Sequence, residues 1–249
     1  MYSGANDDTK QLTGSKYAVK FEPVDQKGSL LNECLTLRKL CMHNKKVLRR
    51  TPSYYLHNTN NGRRYVIMDY LESQVDDYIA SFKAGDERDA AIQRVALEMF
   101  EAVQEMHQAG ETIHRDIKPE NFMMHRGETF IIDFGLATEY KKDGQHIPVE
   151  KNLGLQGTFR YASLWTHEGI VQSRRDDIQV LGFSIMKLLQ ENPKAELWPA
   201  LKPNQGMSVS ELNVQFYTEK KNFVAQEHVS GRFDFIHRFI KETINLQFD

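Results

Sequence analysis

Hydrophobic and polar positions alternate with a period of two near the start of this chain and with a period of 3.6 later. Tyr17, Val19 and Phe21 alternate with Lys16, Ala18 and Lys20, which is a strand pattern. A second strand is predicted over Arg64–Tyr70 (RYVIMDY), behind the turn signal Asn60-Asn61-Gly62. Between them, the segment after Gly28 (SLLNECLTLRKLCM) reads as a helix with Leu30, Glu33, Leu37 and Leu40 on one stripe. From Asp89 to His107 the helical period places Ile92, Ala96, Met99, Val103 and Met106 on one face, and Gly110 ends that helix. Short strand-like pieces follow at Asn121–Met124 and Thr129–Phe134, then an apolar helix over Ile178–Leu189 and a last one from about Phe233 to Leu246. Asn192–Gly206 is polar and reads as a loop. The expected class is α+β with two lobes: a small sheet-rich lobe over residues 1–70 and a larger helical lobe over 71–249, joined near Asp69–Glu72.

Composition narrows this picture. The 249 residues are 40% hydrophobic, enough for a core of ordinary size, and 32 basic against 34 acidic residues leave a net charge of −2. Nothing in that balance calls for nucleic acid or an anionic membrane as partner. No apolar run approaches the ~20 residues of a bilayer span, and Met1–Lys10 lacks a basic-then-apolar leader pattern. The expectation is an intracellular protein of cytoplasm, nucleus or both. Cys34 and Cys41 are seven apart on the predicted helix. At ~1.5 Å rise per residue that spacing is about 10 Å, beyond disulfide reach.

Candidate chemistry starts with Glu33, a carboxylate on an apolar stripe. Such a group is costly unless a cation meets it, and the strand just upstream offers Lys20. The bland alternative is a half-exposed Glu at the edge of an amphipathic face. The strongest signal is His114-Arg115-Asp116-Ile117-Lys118-Pro119-Glu120-Asn121, with Asp133-Phe134-Gly135 following twelve residues after Asn121. Either motif alone is cheap; both in this order, at this spacing, are not.

These segments resemble the catalytic loop and the metal-binding loop of eukaryotic protein kinases. The resemblance implies a bilobal kinase fold, ATP and Mg²⁺ as cofactors, and protein substrates. It makes Asp116 the group that accepts or orients the substrate hydroxyl's proton, and Asn121 and Asp133 the Mg²⁺ ligands. Lys118 resembles the γ-phosphate lysine of serine/threonine kinases, so Ser and Thr are the expected acceptors. Lys20 and Glu33 then become the ion pair that orients ATP. Met68 resembles the residue behind the adenine, and Asp69, Tyr70 and Leu71 the hinge whose backbone meets it. The usual Ala-Pro-Glu is replaced by Gly157-Thr158-Phe159-Arg160-Tyr161-Ala162-Ser163, followed by Gln172-Ser173-Arg174-Arg175-Asp176-Asp177. This wording, with His146-Ile147-Pro148, is similar to the casein kinase I superfamily. By that likeness Thr158 braces Asp116 and Lys118. Arg160 forms an anion site favouring acidic or already phosphorylated substrates; Lys202 resembles a second member of it, but its plainer reading is a solvated charge. Asp177, on a stripe with Leu181, Ser184 and Leu188, is expected to be buried and to bond the catalytic-loop backbone.

The chain also departs from that family. Met1–Ser15 contains only Gly4 and Gly14, too few for the glycine-rich loop over the phosphates, and the likeness fades after Gly182. The sequence therefore predicts a truncated small lobe and weakened ATP binding. The alternative function is a pseudokinase that acts as a binding or scaffold module. The retained Lys20, Glu33, Asp116, Asn121 and Asp133 favour the enzyme.

Overall fold

The computed structural model describes residues 16–25, 28–42, 48–192, 195–198 and 206–249. The expectations for Met1–Ser15 and for Lys202 fall outside these residues. Among those described are seven α-helices and ten strands, with a β-rich N-terminal part and a helical C-terminal part.

The N-terminal part is a three-stranded antiparallel sheet of β1 (Tyr17–Pro23), β2 (Tyr54–Asn60) and β3 (Arg63–Asp69) in the order β1-β3-β2, with α1 (Leu30–Met42) packed on it. Val66 and Met68 point inward from β3 and meet Leu30, Leu37 and Leu40 of α1, all buried. Burying each such side chain stabilises the fold by roughly 1.5–3 kcal/mol. Strand β2 was not predicted. Its side chains are mostly exposed and polar, so no apolar period marks it. Cys34 and Cys41 are not disulfide-bonded, as their spacing requires.

After the joint come β4 (Ser73–Gln74), α2 (Val75–Ala80) and the long α3 (Asp86–Gln108). Ile92, Val95, Met99, Ala102, Val103 and Met106 of α3 are buried, and Asp86, Glu87 and Asp89 complement the helix dipole in its first turn. Next are β5 (Thr112–Ile113), β6 (Phe122–His125) and β7 (Glu128–Ile131), with β7 ending before Asp133 rather than running through Phe134. Strands β8 (Thr138–Glu139), β9 (Lys141–Lys142) and β10 (Gln145–His146) are two residues each. The rest is helical: α4 (Leu164–His167), α5 (Arg174–Leu188), α6 (Val209–Ala225) and α7 (Asp234–Thr243). Helix α5 is buried on nearly every side and forms the centre of this part. Two expectations need correction here. Helix α6 went unpredicted, and within the expected polar loop Leu197 and Trp198 are buried in the core. No helix among the described residues is long and apolar enough to cross a membrane.

Candidate active site

The site is built on adjacent carboxylates near the start of α5. Asp177 is fully buried and accepts hydrogen bonds from His114 N (2.7 Å), Arg115 N (3.0 Å) and His107 Nε2 (2.8 Å). Burial pushes its carboxyl upward, but those bonds prevail and hold it below the usual carboxylate range. Its neighbour Asp176 serves a different segment. It accepts from Ser173 N at 2.8 Å and from Ser163 Oγ, the serine of the RYAS run. Burial pushes Asp176 up to about 6. Sequence reasoning anticipated Asp177 and missed Asp176. The pair explains why QSRRDD follows GT-x-RYAS: one carboxylate ties down the 114–115 backbone, the other the segment after Arg160.

Held this way, Arg115 takes a left-handed conformation (φ 68°), and Asp116 is presented beside Lys118 and Thr158. Lys118 Nζ lies 2.7 Å from Asp116 Oδ2 and 3.2 Å from Thr158 Oγ1, which itself donates to Asp116 Oδ1 at 2.8 Å. The close approach of these segments requires Gly157. Its φ is 93°, and a Cβ there would lie 2.5 Å from Arg115 O. Asn121 Nδ2 donates to Asp116 O at 2.8 Å, and Ile132 N donates to Asn121 O at 2.9 Å. The Asn121 backbone is thus one hydrogen bond and one residue away from Asp133.

Asp133 also adopts a left-handed conformation (φ 64°), ahead of a 3-10 turn over Phe134–Leu136, and Phe134 is buried against the His114 ring. Asp133 Oδ1 lies 3.2 Å from Lys20 Nζ, and Lys20 Nζ lies 2.6 Å from Glu33 Oε2. Glu33 is buried, so the half-exposed alternative is excluded. Burial lowers the Lys20 amine, yet the carboxylates of Glu33 and Asp133 outweigh it and raise the amine above its usual range. Asp133 is held below its usual range, because Lys20 prevails over burial. Glu33 moves upward through burial, against the pull of Lys20. We take the pair as charged, because Lys20 faces two carboxylates.

One further contact was not legible in the sequence. Asn32 Nδ2 lies 3.3, 3.0 and 2.9 Å from the carbonyl oxygens of Phe134, Gly135 and Ala137. The residue next to Glu33 therefore clasps the backbone that follows Asp133. Gly135 permits this, since a Cβ there would lie 2.5 Å from Ser29 Oγ of the segment leading into α1.

The remaining predicted residues lie around this centre. Met68 is buried on β3, and Leu71 is buried beyond it. The Asp69 carboxylate accepts from Ser53 N (2.7 Å) and Tyr55 O–H (2.7 Å), and its own N–H donates to Ser53 O at 3.2 Å, so Asp69 is tied to the start of β2 by both side chain and backbone. Tyr70 is partly exposed, with Lys16 over its ring. Arg160 Nη2 pairs with Glu196 Oε2 at 2.6 Å, and Trp198 Nε1 donates to Arg160 O at 2.8 Å. No group of three or more His, Cys, Asp or Glu side chains gathers as a metal cluster among the described residues. Asn121 and Asp133 carry an amide and a carboxylate oxygen, donors of the kind Mg²⁺ takes, and are the residues that would hold such an ion here.

A family model described as the protein kinase domain matches residues 1–244. This chain belongs to the protein kinase domain family, a family of phosphotransferases that act on protein substrates.

Proposed function

We propose that the chain is a serine/threonine protein kinase of the casein kinase I type, moving the γ-phosphate of ATP onto protein hydroxyls with Mg²⁺ as cofactor. The observation that carries this reading is Lys20, whose Nζ meets both Glu33 and Asp133. A strand lysine from the N-terminal sheet thereby reaches the loop expected to hold the metal.

In this reading residues 1–70 and 71–249 are the two lobes, with the nucleotide between them. The backbone of Asp69–Leu71 meets the adenine and Met68 closes the space behind it. Lys20 draws the α- and β-phosphates into line, kept in place by Glu33. Asn121 and Asp133 hold Mg²⁺, which neutralises charge on the transferring phosphate. Asp116 accepts the proton of the substrate hydroxyl, and Thr158 fixes the carboxylate that does so. Lys118, 2.7 Å from Asp116, carries positive charge to the γ-phosphate side. Little covalent chemistry is asked of the protein; positioning and charge neutralisation do the work.

A preference for acidic or already phosphorylated substrates rests on Arg160. Its guanidinium already pairs with a carboxylate, that of Glu196, through a half-exposed contact that an incoming anion can replace. The test is a peptide set with matched Ser, Thr and Tyr acceptors, with and without acidic neighbours, assayed on wild type and Arg160→Ala. Ser and Thr peptides are expected to be used over Tyr, with the acidic set selectively impaired in the variant. Equal loss across all peptides would remove the anion site, and Tyr preference would overturn the acceptor assignment.

A further inference from the structure

Lys220 is a lysine on α6 with no solvent exposure, and among the described residues no carboxylate pairs with it. A buried ammonium without a counter-charge is expensive, so its hydrogen bonds must be accounted for. Three acceptors surround its Nζ: Phe159 O at 2.8 Å, Ala162 O, and His167 Nε2 at 2.9 Å. An ammonium has three N–H donors and no lone pair, so the count closes. The third acceptor depends on tautomer, and Asn213 sets it. Asn213 Nδ2 donates to His167 O at 3.0 Å, which turns its Oδ1 toward His167 Nδ1 at 2.6 Å. An oxygen there requires Nδ1–H, leaving Nε2 as an acceptor for Lys220. The rings of Phe216 and Phe183 lie within cation–π range of the amine, at 5.8 and 5.2 Å.

Two of the three bonds go to one short stretch of backbone. Phe159 and Ala162 flank Arg160 and Tyr161, and Phe159 directly follows Thr158. Both Tyr161 N and Ala162 N donate back to Thr158 O, at 2.9 and 3.0 Å, so the stretch is one compact turn. Thr158 in turn donates to Asp116. We propose that Lys220 is a positioning residue, whose three hydrogen bonds from α6 fix the Thr158–Ala162 turn and through it the orientation of Asp116 toward a substrate hydroxyl. The tie between α6 and this turn is thus made by an amine whose partners are all uncharged. This inference rests on the proposed role of Asp116.

Lys220→Met removes the three donations while keeping an apolar chain of similar length. Expected for Lys220→Met are a peptide kcat/KM reduced roughly tenfold to a hundredfold and an ATP KM within about twofold of wild type, since the turn reaches the site through the bonds of Thr158 to Asp116 and Lys118 and not through Lys20 or Glu33. A purely structural lysine would lower the melting temperature and leave kcat and peptide KM of the folded enzyme unchanged. That result overturns the proposal. Asn213 supplies a second test if the methionine variant does not fold. Asn213→Leu frees the histidine tautomer and is expected to lower peptide turnover. Asn213→Asp keeps an acceptor facing Nδ1–H and is expected to recover turnover relative to Asn213→Leu. Equal turnover in these two variants contradicts the hydrogen-bond chain. Asp116→Asn run alongside separates the two levels: if it retains full transfer, the role of Asp116 fails, whereas loss of transfer there with a wild-type Lys220→Met fails the positioning role alone.

Discussion

The two sides of the site are held by different physics. On the side of the N-terminal sheet, Lys20 and Asp133 are 43% and 40% exposed at the side chain, and their contact is open to water and salt. On the side of the helices, Asp177 and His107 are 3% and 6% exposed, and the bonds they make are shielded. Charge pairs of the first kind are individually weak and adjustable. Buried, multiply bonded carboxylates of the second kind fix geometry, and removing one leaves stranded donors. The comparison teaches where rigidity is stored: the loop bearing Asp116 is immobilised from behind by α5, while the contact of Lys20 with Asp133 is solvent-exposed and, in the proposed function, open to rearrangement by a nucleotide. Asn32 adds a tie on the first side, from α1 to the backbone that follows Asp133.

The most damaging way to break this contrast is Asp177→Ala. It strands His107 Nε2 and the amides of His114 and Arg115, and unfolding experiments are expected to show a loss of about 3–5 kcal/mol together with loss of transfer. A loss below 1 kcal/mol would mean that the buried side is not the rigid one. Asp116→Asn changes one atom at the reacting end of the same loop. Turnover is expected to fall roughly 10²–10⁴-fold with the melting temperature and Mg-ATP affinity retained, as read by steady-state kinetics and calorimetry.

A pH titration sharpens the comparison. Burial, reinforced by the charge of Lys220, lowers His167 to about 3. In the unfolded chain a histidine titrates near ~6.5, so the unfolded state takes up the proton first as pH falls. The stability contributed by neutral His167 is complete above that value and is lost progressively as pH falls toward 3. At pH ~5 the loss is on the order of 2 kcal/mol. Asp76 and Asp176, both raised to about 6 by burial, act in the opposite direction in part of this window. The measurement is therefore the difference between wild type and His167→Gln in denaturant midpoint against pH, with a flatter acid limb expected for the variant. Parallel curves would contradict it. The smallest effect is expected for Asn32→Asp, which sets a carboxylate against three carbonyl oxygens. A cost of about 1–2 kcal/mol is expected, read as weaker Mg-ATP affinity with unchanged peptide KM.

Much of this arrangement was legible in the chain. Strands β1 and β3 and helices α1, α3 and α5 carry clear apolar periods, and the His-Arg-Asp and Asp-Phe-Gly segments announce their chemistry by residue type and spacing. What escaped has physical reasons. Strand β2 is largely exposed, so its pairing with β3 shows only in space. Helix α6 buries Phe216, Lys220 and Val224, and a lysine in the middle of that stripe reads as a solvent face. Asn32, His107 and Asp176 act through partners 102, 70 and 13 positions away, distances at which no local pattern survives. Arg160 was anticipated as an anion site, but its pairing with Glu196 was not, because surface ion pairs follow from tertiary packing.

The most direct measurement is transfer of γ-phosphate from Mg-ATP to an acidic protein such as casein, run beside Asp133→Asn. Transfer by the wild-type chain that disappears in the variant, with both proteins folded to the same melting temperature, is the predicted result. Transfer that persists in Asp133→Asn, or its absence from a folded wild type, would contradict the assignment of Lys20, Asp116, Asn121 and Asp133 as a working phosphotransfer site.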